Sequence, residues 1–300
     1  MHSSGHNYKQ IRGNYDSIVD DFDSRSDQAR DLLIGGGTEV EKGRYPYAVA
    51  LYDRFKEFTC TGTLIDPGWV LSAAHCWTNP TPVWVHIGLK DWEDSSEVEG
   101  TDYDEIRIES ITLHPDYNPN NFQYDFMLLK LERLSQFDPV QLDDGTTQID
   151  ESTTFTNFGW GSTETANFSS VLLEVDFNYV NLDECNETFL GEIYEDMFCA
   201  GTETEFSGYG DSGGPLFLKG ANAGEDLQIG LCSWGRDEPE FVPNVYSWVY
   251  KAQDFIASVL NGEEVEVNND IINDTGEDDE DDDSCKHGST WRKTLYRLLN

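Results

Sequence analysis

The 300-residue sequence predicts an all-β fold, a barrel or a sandwich, on three observations. Short apolar or alternating runs recur from about residue 34 to 250. Gly, Pro, Asn and Asp punctuate them, and helical periodicity is scarce. In chain order the runs are "YAVALY", "GTLIDPGWVLSAAHC", "VWVHIG", "DFMLLKLE", "LLEVDFNYV" and "DLQIGLCSWG". One segment departs from the pattern. "YSWVYKAQDFIASVL" has helical spacing, with Val249, Phe255, Ile256 and Leu260 for one face, and Asn261-Gly262 is a stop signal.

The flanks read differently from this body. Residues 1–33 are polar and poor in hydrophobics, the composition of a poorly ordered leader or propeptide. Residues 263–283 hold 12 acidic side chains and no basic one, so self-repulsion should keep them extended. The final "SCKHGSTWRKTLYRLLN" turns basic, with Trp291, Leu295, Leu298 and Leu299 spaced for one helical face. Contact with a membrane or partner and docking on the acidic body both stay open for it. The expected division is leader 1–33, globular body 34–261, acidic linker 262–284 and basic amphipathic tail 285–300.

Charge narrows the partners. The formal net charge is −39, and residues 34–261 alone hold 40 Asp and Glu against 11 Lys and Arg. The acidity therefore belongs to the whole surface rather than to a tail. Such a field repels nucleic acid and anionic membranes and would favour basic substrates or partners, while a solubilising or salt-tolerant surface is the preferred reading. No apolar run of about 18 residues is present to span a bilayer. The first residues lack the apolar core of a signal peptide. Yet six cysteines and sequons at Asn167, Asn186 and Asn273 suit the secretory route. A signal upstream of Met1, or unusual export, is therefore expected.

Three stretches carry chemistry: "LSAAHC" with His75, "YDFMLLKL" with Asp125, and "GDSGGP" with Ser212. "GRYPYAVAL", "FGWG", "MFCAG", "SWG" and "PNVYSWV" accompany them in order. Together they resemble the trypsin/chymotrypsin family of serine proteases, from about Ile34 to Leu260. The resemblance implies two six-stranded antiparallel β-barrels of the chymotrypsin type with a C-terminal helix, and a triad in the cleft between them. It implies that Ser212 is the nucleophile and His75 its general base, with Asp125 fixing the imidazole tautomer. The N–H groups of Gly210 and Ser212 would form an oxyanion hole, and glycine at 210 tolerates unusual backbone angles. No cofactor or metal is implied; polypeptides are the substrates, and a monomer is expected.

The resemblance also implies disulfides Cys60–Cys76 and Cys185–Cys199. The family's bridge beside the nucleophile is missing, because Gly208 takes one half's place. A looser or rebuilt pocket loop is expected, with Cys232 free and buried. Cys285 in the tail is either free or paired with another chain. Ser233, Trp234 and Gly235 should lie along the substrate backbone and pocket entrance. Phe206 and Ser207 stand at the pocket floor, with Glu205 able to recruit a basic residue instead. Asn244 replaces a glycine and should shorten the pocket, which points to a small or medium uncharged P1 residue. Ile34 would become a new N-terminus whose ammonium pairs with Asp211. An activating protease is implied, although the preceding residue is Leu33 and the nearest arginine is Arg30. The loop 90–106 falls where some relatives bind calcium, with Glu99 and Asp102 as candidate ligands and Leu89 at a ligand position. A merely acidic loop is the preferred reading. Two alternatives compete with a secreted zymogen protease. One is a non-catalytic relative acting as a binding or inhibitor protein; the other is a self-assembling structural protein, which explains none of the triad.

Overall fold

A computed structural model describes residues 37–77, 80–163, 168–202, 207–235, 242–263 and 265. Ile34, Phe206, Glu205, Cys285 and both tails lie outside the described residues. The first barrel is built from β2 (Ala48–Tyr52), β3 (Phe58–Asp66), β4 (Trp69–Ser72), β5 (Trp84–Ile87), β6 (Asp104–Leu113) and β7 (Met127–Leu131), preceded by the short β1 (Thr38–Glu39). It closes in the order β2-β3-β4-β7-β6-β5 with every pairing antiparallel. The predicted run "GTLIDPGWVLSAAHC" is a hairpin. Its two strands turn at Pro67-Gly68 because proline cannot donate to a ladder and glycine accepts the turn.

After β8 (Gln141–Leu142), the second barrel comprises β9 (Thr154–Gly159), β10 (Leu173–Val180), β11 (Met197–Gly201), β12 (Pro215–Leu218), β13 (Leu227–Trp234) and β14 (Asn244–Trp248). Its ladder runs β9-β10-β11-β14-β13-β12 and returns to β9, with β1 added to β10 and β8 to β13. Each barrel is filled by inward side chains. Phe155, Phe177, Phe198, Leu216, Ile229 and Tyr246 pack the second, and Val49, Leu51, Leu64, Leu71, Val85 and Leu129 are among those in the larger cluster of the first. The expected two-barrel architecture is present.

Two short helices complete the chain. In α1 (Leu182–Thr188), Asn181 caps the N-terminus by accepting from Glu184 N. The expected C-terminal helix is shorter than its periodicity suggested. Tyr246–Trp248 belong to β14 and Val249–Ala252 form a 3₁₀ turn, leaving α2 as Gln253–Leu260. Strand pairing with β11 and β13 takes the first residues because those edges need partners. Val249, Phe255 and Ile256 are buried as expected, and Gly262 ends the helix at φ +77°.

Candidate active site

The site lies where the barrels meet. His75 sits in a 3₁₀ turn, Ala74–Trp77, directly after β4, and the Cys60–Cys76 disulfide ties that turn to β3. Asp125 precedes β7 and is fully buried. Its Oδ1 accepts from the His75 backbone N–H at 2.9 Å, and its Oδ2 pairs with His75 Nδ1 at 2.7 Å. From the second barrel, Ser233 Oγ donates to the same Oδ2 at 2.6 Å. Since a carboxylate only accepts, Nδ1 carries the imidazole proton and Nε2 presents a lone pair. That lone pair suits a general base.

Ser212 follows on the turn before β12. Thr61 N donates to its carbonyl at 2.9 Å. Cys76 Sγ lies 3.9 Å from His75 Nε2 and 3.8 Å from the Ser212 carbonyl oxygen, so one sulfur is flanked by both residues. Cys60, His75 and Cys76 bring donor atoms within 4.8 Å of one another, but the disulfide consumes both thiols and leaves no thiolate for a metal.

The amides of this turn divide into two sets. Those of Asp211, Gly213 and Gly214 donate to Gly208 O, Cys232 O and Asp211 O. Among the described residues, those of Gly210 and Ser212 have no acceptor. Tyr209 O accepts from Ser162 N at 2.7 Å, and a planar trans peptide then aims the Gly210 N–H away from Ser162. Gly210 adopts φ +98°, and Thr61 Oγ1 holds its carbonyl at 3.0 Å. Glycine is needed on this turn for space as well. A Cβ on Gly213, at φ +77°, would stand 2.1 Å from Ser72 Oγ and 2.5 Å from Thr61 O.

Asp211 is buried beneath the turn and accepts from Gly161 N at 2.9 Å and Gly208 N at 2.8 Å. Burial pushes its carboxyl up to about 7 against the pull of those two amides. "FGWG" makes room for it: a Cβ on Gly159 or Gly161 would fall 2.0 or 2.4 Å from its oxygens. The expected ion pair with Ile34 falls outside the described residues.

Gly208, in the place of the missing half-cystine, has been put to another use. Ser162 O lies 2.9 Å from where its Cβ would stand, and Ser162 Oγ accepts from Tyr209 N. Hydrogen bonds thus join the Gly208–Tyr209 segment to Ser162. Asn244, the first residue of β14, reaches Ser207. Its Oδ1 accepts from Ser207 N at 3.0 Å, and its Nδ2 donates to Ser207 O at 3.3 Å. Ser207 Oγ meets Asn157 Oδ1 and Tyr246 OH. Opposite, a Cβ on Gly235 would meet Asn244 Nδ2 at 2.8 Å. Cys232 is free and buried behind this network, and burial pushes its thiol up. The second disulfide, Cys185–Cys199, joins α1 to β11.

The loop 90–106 does not gather its carboxylates. Glu99 pairs with Arg133, and Asp102 pairs with Lys42 while accepting from Val98 N; Leu89 is buried. Sequence reasoning missed Thr61, Ser162 and Phe122. The Phe122 ring stands edge-on to His75 at 5.8 Å and stacks near Trp234 at 6.5 Å. No local signal marks these three, whose roles are contacts across the chain.

A family model described as Trypsin matches residues 34–256. Mannan-binding lectin serine protease 1 of Mus musculus is 30% identical over 252 residues, 75% of this chain and 35% of that protein. Its counterpart in Rattus norvegicus is 32% identical over 248 residues, with the same shares. Trypsin 5G1 of Aedes aegypti is 30% identical over 237 residues, 75% of this chain and 84% of that protein. The chain thus spans about a third of the length of the two mannan-binding lectin proteases and most of the length of the mosquito trypsin.

Proposed function

Because the chain belongs to the trypsin family, we propose that it is a secreted serine endopeptidase, made as a zymogen, which cleaves polypeptides through His75, Asp125 and Ser212. The observation that carries this reading is the pair of uncommitted amides, Gly210 and Ser212, in a turn whose other amides are bonded, beside an imidazole already oriented by Asp125. Ser212 Oγ attacks the scissile carbonyl carbon as its proton passes to His75 Nε2. The oxyanion that forms is held by the two amides. Collapse expels the amine, which takes the proton from His75 and leaves an acyl-enzyme. Water then enters, giving its proton to Nε2, and the acid leaves as Ser212 recovers its hydrogen. Asp125, with three donors on two oxygens, holds the ring in place and stabilises the imidazolium.

A small or medium uncharged P1 residue is the reading for specificity, supported by an Asn244 amide that bonds both backbone groups of Ser207. Disulfides favour an oxidising compartment, hence secretion. Cleavage after Leu33 by another protease would free Ile34 to bring an ammonium to Asp211. A fluorophosphonate, which reacts only with an activated serine, tests the reading on the full chain and on a form beginning at Ile34. Labelling of the trimmed form, lost in Ser212→Ala, is expected. Absence of labelling in both folded forms would sink it and favour a binding protein.

A further inference from the structure

We infer that Asp196 is a positioning residue for the triad, fixing Asp125 from the opposite barrel. The argument rests on the peptidase reading above and starts at the loop before Asp125. Phe122 and Tyr124 both take left-handed conformations there, φ +58° and +50°. A non-glycine residue stays in that region only when its surroundings hold it. Phe126 N donates back to Tyr124 O at 2.7 Å, so Asp125 projects from the middle of a three-residue turn. The orientation of its carboxylate therefore follows from the orientation of the Tyr124 peptide.

That peptide is anchored across the molecule. Asp196, the residue before β11 of the second barrel, is fully buried, and its Oδ2 accepts from Tyr124 N at 2.6 Å. Asp196 is itself fixed, because its carbonyl accepts from Trp248 N of β14. The Tyr124 ring lies flat on His114 at 4.8 Å, and His114 packs against Phe255 of α2. Second-barrel atoms thus hold the triad aspartate twice: Ser233 on the carboxylate, Asp196 on the backbone behind it. Asp196 Oδ1 is buried with no partner among the described residues. Burial raises its carboxyl, opposed by the Tyr124 amide. A neutral acid would still accept through Oδ2, so the anchor needs an acceptor oxygen rather than a charge.

This need separates two variants of the full chain, each assayed before and after cleavage ahead of Ile34. Asp196→Ala removes the acceptor; kcat on a peptide substrate should fall about ten- to a hundred-fold, as misplacement of a catalytic group does. KM should stay within about two-fold, since the substrate-binding surface is untouched. Deuterium uptake over residues 118–126 should rise. Asp196→Asn keeps the acceptor and should restore wild-type kcat and uptake. If Asp196→Ala does not fold, Asp196→Ser, too short to reach the amide, takes its place. An unchanged kcat in an active protein, unchanged uptake over 118–126, or equal losses in the Ala and Asn variants would overturn the inference. A wild-type protein that neither hydrolyses peptides nor labels would instead refute the peptidase reading, while the uptake comparison still decides whether Asp196 holds the loop.

Discussion

At the scale of single residues, the site shows how little of a pocket's chemistry sits in its motif. His75, Asp125 and Ser212 were legible because each is embedded in a short distinctive string. Asn244 was singled out by its place in "PNVYSWV", and its bonds to the Ser207 backbone were not legible there. Thr61, Phe122 and Asp196 were not legible either, since each acts on a partner about 50 or more positions away along the chain, or on a backbone whose angles no local pattern announces. Asn244→Gly removes the amide that bonds both backbone groups of Ser207. Profiling with a peptide library should then show P1 preference moving from small residues toward longer apolar ones. The change should be of order 10- to 100-fold in relative kcat/KM, the scale on which hydrophobic pockets discriminate. An unaltered profile would mean that the Asn244 amide does not set the depth.

At the scale of elements, strands with apolar alternation were readable and those carrying charge were not. β6 has four charged residues in ten, and a register shift between Ile108 and Ser110 breaks the alternation, so its buried Ile106 and Leu113 share no even spacing. "MFCAG" and "PNVYSWV", recognisable as motifs, prove to be the adjacent strands β11 and β14. Helix α1 carried a usable signal in "NLDE", whose asparagine caps the amide of the glutamate three residues on. The glycines of "FGWG" were matched without a reason. The structure supplies one, since β9 ends against the Asp211 carboxylate and a methyl group would overlap it. Gly159→Ala should therefore lower stability by about 1–3 kcal/mol, the cost of overpacking. A urea melt should report that loss, and Gly220→Ala, crowded by Glu225 rather than by Asp211, should leave fluorophosphonate labelling intact where Gly159→Ala impairs it.

At the scale of the whole molecule, the buried Asp211 links folding to pH. Its folded-state pKa near 7 is above the usual value of 3.8, so the folded protein holds the proton more tightly than the unfolded chain. The stability it confers as a neutral acid is fully present below about pH 4 and lost as pH rises to 7. In the full chain, Asp211→Asn should thus gain on wild type across that window by up to about 1.4 kcal/mol per pH unit. Urea midpoints from pH 4 to 8 measure the gap, and a constant difference would contradict the assignment. Freed Ile34 would supply a cation and shrink the gap. The division of the triad between barrels has a further consequence, for synthesis. His75 and Asp125 leave the ribosome with the first barrel, but Ser212, Ser233 and the β13–β14 hairpin that closes the second barrel come later. On the proposed reading, a nascent chain therefore brings His75, Asp125 and Ser212 together only after the second barrel has been made.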